Sequence, residues 1–331
     1  MTLLLSHGTA LRRLRMIGRS DAPAEDPRHM RHDLSAGRYY LHVPFADEKA
    51  LSELDFPWAR QGKLDVLVPS GDARRRSDLL KCHVWQEEPP PGAFRLIGPN
   101  VLISSPAFTF LQMAATLDLI ELIRLGYELC GSYVVDPSGQ AGLSSRPAIA
   151  TPDDLLSAAR HSGWYRGHRK AIRALRHILP GSASPRETDL AMLLTLPVAL
   201  GGYGLPKPHL NHEVRTGGTI SGSRYADLYW QDAKLDVEYE SSVYHAGTTS
   251  LGHDSSRRAE LREVGIDVLT VTNDQILDRH ELDRIARLIE AALDIKPSSS
   301  DSGLIAQRDA LREEVLCPGP NSSSYLQLMD D

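Results

Sequence analysis

Cysteine is scarce in this chain of 331 residues. Cys82, Cys130 and Cys317 form neither a CxxC pair nor a zinc-type spacing. A disulfide-stapled scaffold and a zinc ribbon are thereby excluded, and a reducing cytoplasm is the simple expectation. An excess of positive charge is also missing. The chain carries 37 Lys and Arg against 43 Asp and Glu, a net charge of −6. A polyanion would therefore have to meet a local basic patch. No apolar run approaches membrane-spanning length, and the opening Leu3-Leu4-Leu5 is too short for a signal peptide, so no membrane partner is expected. No internal repeat is present.

What the chain does have is enough length for two cores, and a hydrophobic share of 41% with 24% charged residues, as in an ordinary soluble protein. The expected fold class is α/β in the sense of an α+β two-domain chain. Residues 1–150 read as a small α+β domain ending in a Ser/Gly/Pro-rich linker, 151–295 as a second domain, and 296–331 as a mostly disordered tail with a weak helix near Leu304–Val315. In the first domain a helix is expected over Thr9–Met16, with Arg12, Arg13 and Arg15 on a solvated face. Short strands follow at Lys63–Pro69, Lys81–Gln86 and Phe94–Ser104. Ser105 and Pro106 then cap one long helix, Ala107–Leu129. Thr151-Pro152-Asp153-Asp154 opens another helix. The segment Arg166–Leu179 is the most basic of the chain. Its Arg166, Arg169, Lys170 and Arg173 form either a solvated helix face or a contact to nucleic-acid phosphates.

The stretch Tyr225–His245 organises the second domain. Tyr225–Trp230 and Leu235–Glu240 alternate at a period of two around the polar Gln231–Lys234, which predicts two antiparallel strands and a turn. Alternation sends Leu235, Val237 and Tyr239 to one face and Asp236, Glu238 and Glu240 to the other. Carboxylates stacked on one face repel unless water, a proton or a cation compensates, and hard divalent cations take oxygen ligands. Around this hairpin the order is a helix from Ser184 through Leu196, a strand at Leu210–Thr216, the hairpin, a helix from about Asp254 to Val264, and a strand at Ile266–Thr272. Ser184 and Glu187 have the spacing of a capping box, which gives Glu187 a purely structural reading as well as a functional one.

Two resemblances follow from these residues. The run Asp65-Val66-Leu67-Val68-Pro69, with Gly98 through Ala114 and its Ser105-Pro106-Ala107 helix start, resembles the central domain of AbiEi-like abortive-infection antitoxins. The winged-helix DNA reader usual at the start of that family has no counterpart here. The acids of the second half, in the order helix, three strands, helix, strand, resemble the PD-(D/E)xK restriction-endonuclease-like αβββαβ core. The nearer branch is that of very-short-patch-repair endonucleases, matched by Ala226-Asp227 with Trp230, by Val237-Glu238 with Glu240 and His245, by Arg257-Arg258, and by Val268-Leu269 with Thr272. That resemblance implies a metal-dependent nuclease acting on DNA, in phage defence or a mobile element. Asp227, Glu238 and Glu240 would ligate Mg2+ (or Mn2+), Glu187 would stand near them, and His245 would serve as general acid or base. Arg257 and Arg258 would contact nucleic acid. The chain departs from the family where Glu240 replaces the usual lysine, for which Lys234, Arg257 or Arg258 would have to substitute. Asp236 is expected at the surface. The alternative expectation is a catalytically inactive nuclease fold acting as an antitoxin-like or nucleic-acid/protein-binding module beside a toxin or defence component. An RNA substrate would use the same acids.

Overall fold

The three leucines Leu3–Leu5 form a strand (β1) that is buried along its whole length. The reason is its place in the sheet. The computed structural model, which describes residues 3–16, 62–74, 76, 78–98, 101–135, 144–216, 222–240, 261–297 and 301–316, sets β1 at the centre of five strands. These are β2 (Leu64–Val68), β3 (Leu80–Val84), β4 (Phe94–Gly98) and β5 (Val101–Ser104), in the order β3-β2-β1-β5-β4. β1 pairs parallel with β5 and antiparallel with β2. A central strand covered on both faces has no polar alternation, so it reads as a plain apolar run.

The chain turns directly from β1 into helix α1 (His7–Met16), which packs on β2 and on α2 (Pro106–Met113). The long helix expected over Ala107–Leu129 is two helices. Ala114–Leu117 separate α2 from α3 (Leu119–Cys130), and Asp118 caps α3 through a reciprocal capping box with Glu121. The α1 arginines also differ from expectation. Arg13 and Arg15 are buried, and Arg15 makes a two-pronged ion pair with Glu128 of α3 at 2.7 and 2.8 Å.

The chain divides into two units, one running to Ile178 and the other spanning Leu179–Pro318. The break therefore falls about one helical hairpin later than the expected boundary at 150. The Ser/Gly/Pro-rich stretch read as a linker falls before that break, and its residues 136–143 lie outside the described ones. Strand β6 (Tyr133–Val134) pairs with β7 (Ser144–Ser145), and helices α4 (Pro152–His161) and α5 (His168–Leu175) pack on α2 and α3 through Leu155, Ala171 and Ala174.

The second unit opens with helix α6 (Pro185–Thr195), whose first turn is capped by Ser184. Four strands follow, β8 (His209–Thr216), β9 (Gly222–Trp230), β10 (Leu235–Glu240) and β11 (Asp267–Thr272), in the sheet order β11-β10-β9-β8. The β9–β10 hairpin is antiparallel and turns at 231–234, while β11 runs parallel to β10 and is preceded by helical residues 261–263. Helices α7 (Asn273–Leu277) and α8 (Arg279–Ala292) come next. The helix expected near Leu304–Val315, within a tail otherwise read as disordered, is α9 (Ser302–Leu316). It is docked: Arg308 lies 4.4 Å over the Tyr203 ring and 3.7 Å from Asp283, and the Tyr203 hydroxyl donates to Asp283 at 2.6 Å. Residues beyond 316 lie outside the described ones. The whole is mixed α/β, an α+β fold in two units.

Candidate functional site

The acids of the second unit are positioned by strand register. The hairpin ladder pairs Leu235 with Trp230, Asp236 with Tyr229 and Val237 with Leu228. The backbone pairing ends there, with Asp227 and Glu238 the next residues of the two strands. Asp227 Oδ2 accepts the backbone N–H of Tyr239 at 3.0 Å, which holds that carboxylate against β10. On the other side, β8 pairs Leu210 with Leu228 and His212 with Ala226. Asn211 therefore stands opposite Asp227. Its backbone is left-handed, with φ at 46°, a conformation that asparagine tolerates better than most residues. The Asn211 amide donates to Glu187 Oε2 at 2.8 Å. The same Glu187 oxygen accepts the N–H of Ala183 at 2.9 Å, so Glu187 completes only half of a capping box with Ser184.

Glu187 in the first turn of α6 is thus tied to Asn211 of β8, and Asp227 of β9 to the Tyr239 N–H of β10, the residue after Glu238. Glu240 lies two residues beyond Glu238, at the last position of β10 and level with Thr272 of β11. Asp227, Glu238 and Glu240 are half-buried. Asp236 is not at the surface as expected; it is 0% exposed. Both faces of β10 are covered at this end, and Tyr229 opposite Asp236 packs with Leu261 and Ile266. Burial, and then the charge of Asp236, pushes the Tyr229 phenol up.

Lys234 cannot stand in for the missing lysine. It sits in the hairpin turn at the opposite end of β10, with Nζ beside Gly265, and Glu238 is four residue steps away, roughly 13 Å along the strand. His245, Arg257 and Arg258 lie outside the described residues. Arg166, Arg169, Lys170 and Arg173 belong to the first unit, on α5 and the loop before it. The Lys170 ammonium there donates to the Leu117 carbonyl, while Arg166, Arg169 and Arg173 are exposed. The described residues hold no group of three or more His, Cys, Asp or Glu that could bind a metal. Two carboxylates on adjoining strands still suit Mg2+ or Mn2+, which is commonly held by one or two carboxylates with water and substrate phosphate.

A second constellation, in the first unit, escaped the sequence reading. Asp65 of β2 faces the start of α1. Its Oδ2 accepts the N–H of Thr9 at 3.1 Å, and its own N–H donates to Thr9 Oγ1 at 2.8 Å. Its Oδ1 lies 2.7 Å from His83 Nε2, which fixes that nitrogen as the donor. The His83 ring stacks on His7 at 3.7 Å. His7 has a left-handed backbone with φ at 46°, donates its N–H to Gln112 Oε1 at 3.1 Å and places Nδ1 3.0 Å from Ser6 Oγ. Burial, reinforced by His83, pushes the His7 imidazole down to about 3. Burial alone would raise the Asp65 carboxyl, but the His83 hydrogen bond and charge outweigh it and hold the carboxyl below its ordinary range. His7 and His83 line a cavity of about 380 Å3 together with Trp85, Tyr165, Trp164 and Arg166. A strand running into Ser6-His7-Gly8-Thr9 at a helix start was the available signal. Its partners come from 56 residues or more along the chain, where spacing carries no information.

No family model matches the chain, and no solved structure matches it. Two curated relatives do, each an uncharacterized protein of Mycobacterium tuberculosis from a different strain, 32% identical over 127 residues. The matched stretch is 38% of this chain and 44% of each relative, so the chain spans less than half the length of the curated relatives it matches.

Proposed function

We propose that the chain is a metal-dependent nuclease that hydrolyses DNA phosphodiester bonds, with the chemistry in the second unit. The observation that carries this reading is the set Glu187, Asn211, Asp227 and Glu238. One amide hydrogen bond joins Glu187 to Asn211 of β8, and Asp227 of β9 is held against β10 by the Tyr239 N–H, which supports a shared site for these acids. A solvated strand face would need neither the left-handed Asn211 nor a glutamate bound to it.

Asp227 and Glu238 would hold Mg2+ or Mn2+, with Glu240 completing the oxygen set. A divalent ion bound there supplies Lewis acidity to a phosphoryl oxygen and acidifies a coordinated water. The chain's own residues do the placing. Tyr239 N–H orients Asp227, and the Asn211 amide orients Glu187. His245 is the candidate to move a proton to or from the leaving oxygen. DNA is the proposed substrate, and a toxin or defence component the proposed protein partner. Among the described residues no helix is long and apolar enough to cross a membrane.

One observation favours a second reading, a nuclease fold retained as an antitoxin-like binding module. Glu240 stands where the resembled family has lysine, and Lys234 is at the wrong end of the strand to replace it. Incubating purified protein with supercoiled plasmid and Mg2+ or Mn2+, beside Asp227→Ala, separates the two. Cutting that depends on Asp227 supports the nuclease. Absence of cutting with both ions supports the binding module.

A further inference from the structure

We propose that the cavity of the first unit is a nucleotide site, built to take an aromatic base together with a phosphate. Its volume of about 380 Å3 lies in the range of small-ligand pockets. Trp85 and Tyr165 form one wall, with ring centroids 4.9 Å apart. Trp85 is only 7% exposed and packs edge-on against Phe108 at 4.8 Å, so this wall is aromatic and fixed in place.

The mouth carries the complementary chemistry. Trp164 is 67% exposed, and the Arg169 guanidinium lies 5.5 Å over its ring. Arg74 and Arg166, both exposed, line the opening against a single carboxylate, Glu87. The Trp164–Arg166 loop is held in place rather than left over from folding. It is bracketed by Gly163 and Gly167 at φ of +62° and +98°, and a Cβ at Gly167 would sit 2.4 Å from the Ala114 carbonyl oxygen. An exposed indole fixed beside two guanidinium groups is the arrangement that stacks a base and neutralises its phosphate. A free nucleotide and the end of a single strand present the same chemistry. The site uses none of the acids of the second unit, so it stands apart from the nuclease reading.

The test uses the full chain without divalent metal. AMP, dTMP, a 5′-phosphorylated short oligothymidylate, adenosine and inorganic phosphate are titrated by tryptophan fluorescence and calorimetry. The nucleotides quench saturably, adenosine and phosphate bind at least about tenfold more weakly, and Trp164→Ala or Arg166→Ala weakens nucleotide binding by about tenfold. Both side chains are exposed, so circular dichroism of these variants matches the parent. Asp227→Ala leaves binding unchanged, which keeps this result separate from the fate of the nuclease. Tighter binding of the oligonucleotide than of the mononucleotides assigns the site to strand ends, and equal binding assigns it to free nucleotides. Absence of saturable binding by every nucleotide at millimolar concentration overturns the proposal, as does binding that Trp164→Ala and Arg166→Ala both leave intact.

Discussion

His7 gives the first unit a built-in acid sensitivity whose size follows from its burial. In the unfolded chain its imidazole titrates near 6.5, and in the folded unit near 3, because protonation would place a desolvated charge against His83. As pH falls below 6.5 the unfolded chain takes up a proton that the folded unit refuses until about 3. Stability is therefore fully present above 6.5 and is lost progressively as pH falls from there toward 3. Between pH 7 and pH 5 the linkage relation gives a loss of about 2 kcal/mol, roughly thirtyfold in the opening equilibrium. The assay is amide hydrogen exchange of α1 and β1 at both pH values, corrected for intrinsic rates. The comparison is with His7→Asn, which tolerates the left-handed backbone and does not titrate in this range. The parent loses about thirtyfold more protection than the variant between pH 7 and pH 5. Equal losses in the two proteins would refute the argument that His7 is held neutral by burial.

Other perturbations test other parts of the structure. Glu128→Gln leaves the buried Arg15 guanidinium facing a neutral amide, and denaturant unfolding of the first unit should show a loss of about 3–5 kcal/mol. Gly167→Ala forces a Cβ against the Ala114 carbonyl at a left-handed φ, so thermal unfolding should show a destabilisation of at least about 2 kcal/mol; a change under about 0.5 kcal/mol would contradict the close approach. Asn211→Gly keeps the left-handed backbone and removes the amide that binds Glu187. On the nuclease reading its cutting rate falls by about tenfold or more while unfolding shifts by less than about 1 kcal/mol.

The hairpin Tyr225–Glu240 was legible because period-two alternation and a polar turn are local properties. Its ladder pairs Leu235, Asp236 and Val237 with Trp230, Tyr229 and Leu228, as a turn at 231–234 requires. Asp236 was misread because alternation separates two faces but cannot tell how deeply each is covered; β10 is central, and its acid-bearing face is as dry as its apolar one near Asp236. The three-leucine strand β1 was too short for any periodicity, and its identity rests on its non-local partners Val66 and Val101–Ile103. The same limit hid the Asp65–His83–His7 cluster. The buried Arg15–Glu128 pair spans 113 residues, so Arg15 looked like any other basic side chain on a short helix. The boundary at Ile178 was missed because Ala171 and Ala174, small residues with weak hydrophobic contrast, are what seal α5 onto the first unit.

The central claim is that Asp227 and Glu238 act together on a phosphodiester. Plasmid relaxation should therefore be measured for the parent, Asp227→Ala and Glu238→Ala, with Mg2+ and with Mn2+ and with the folded state of each checked by circular dichroism. The parent cuts with at least one of the ions, and each substitution lowers the rate by about 100-fold or more. A parent that leaves the plasmid intact with both ions, or variants that cut as fast as the parent, would contradict it.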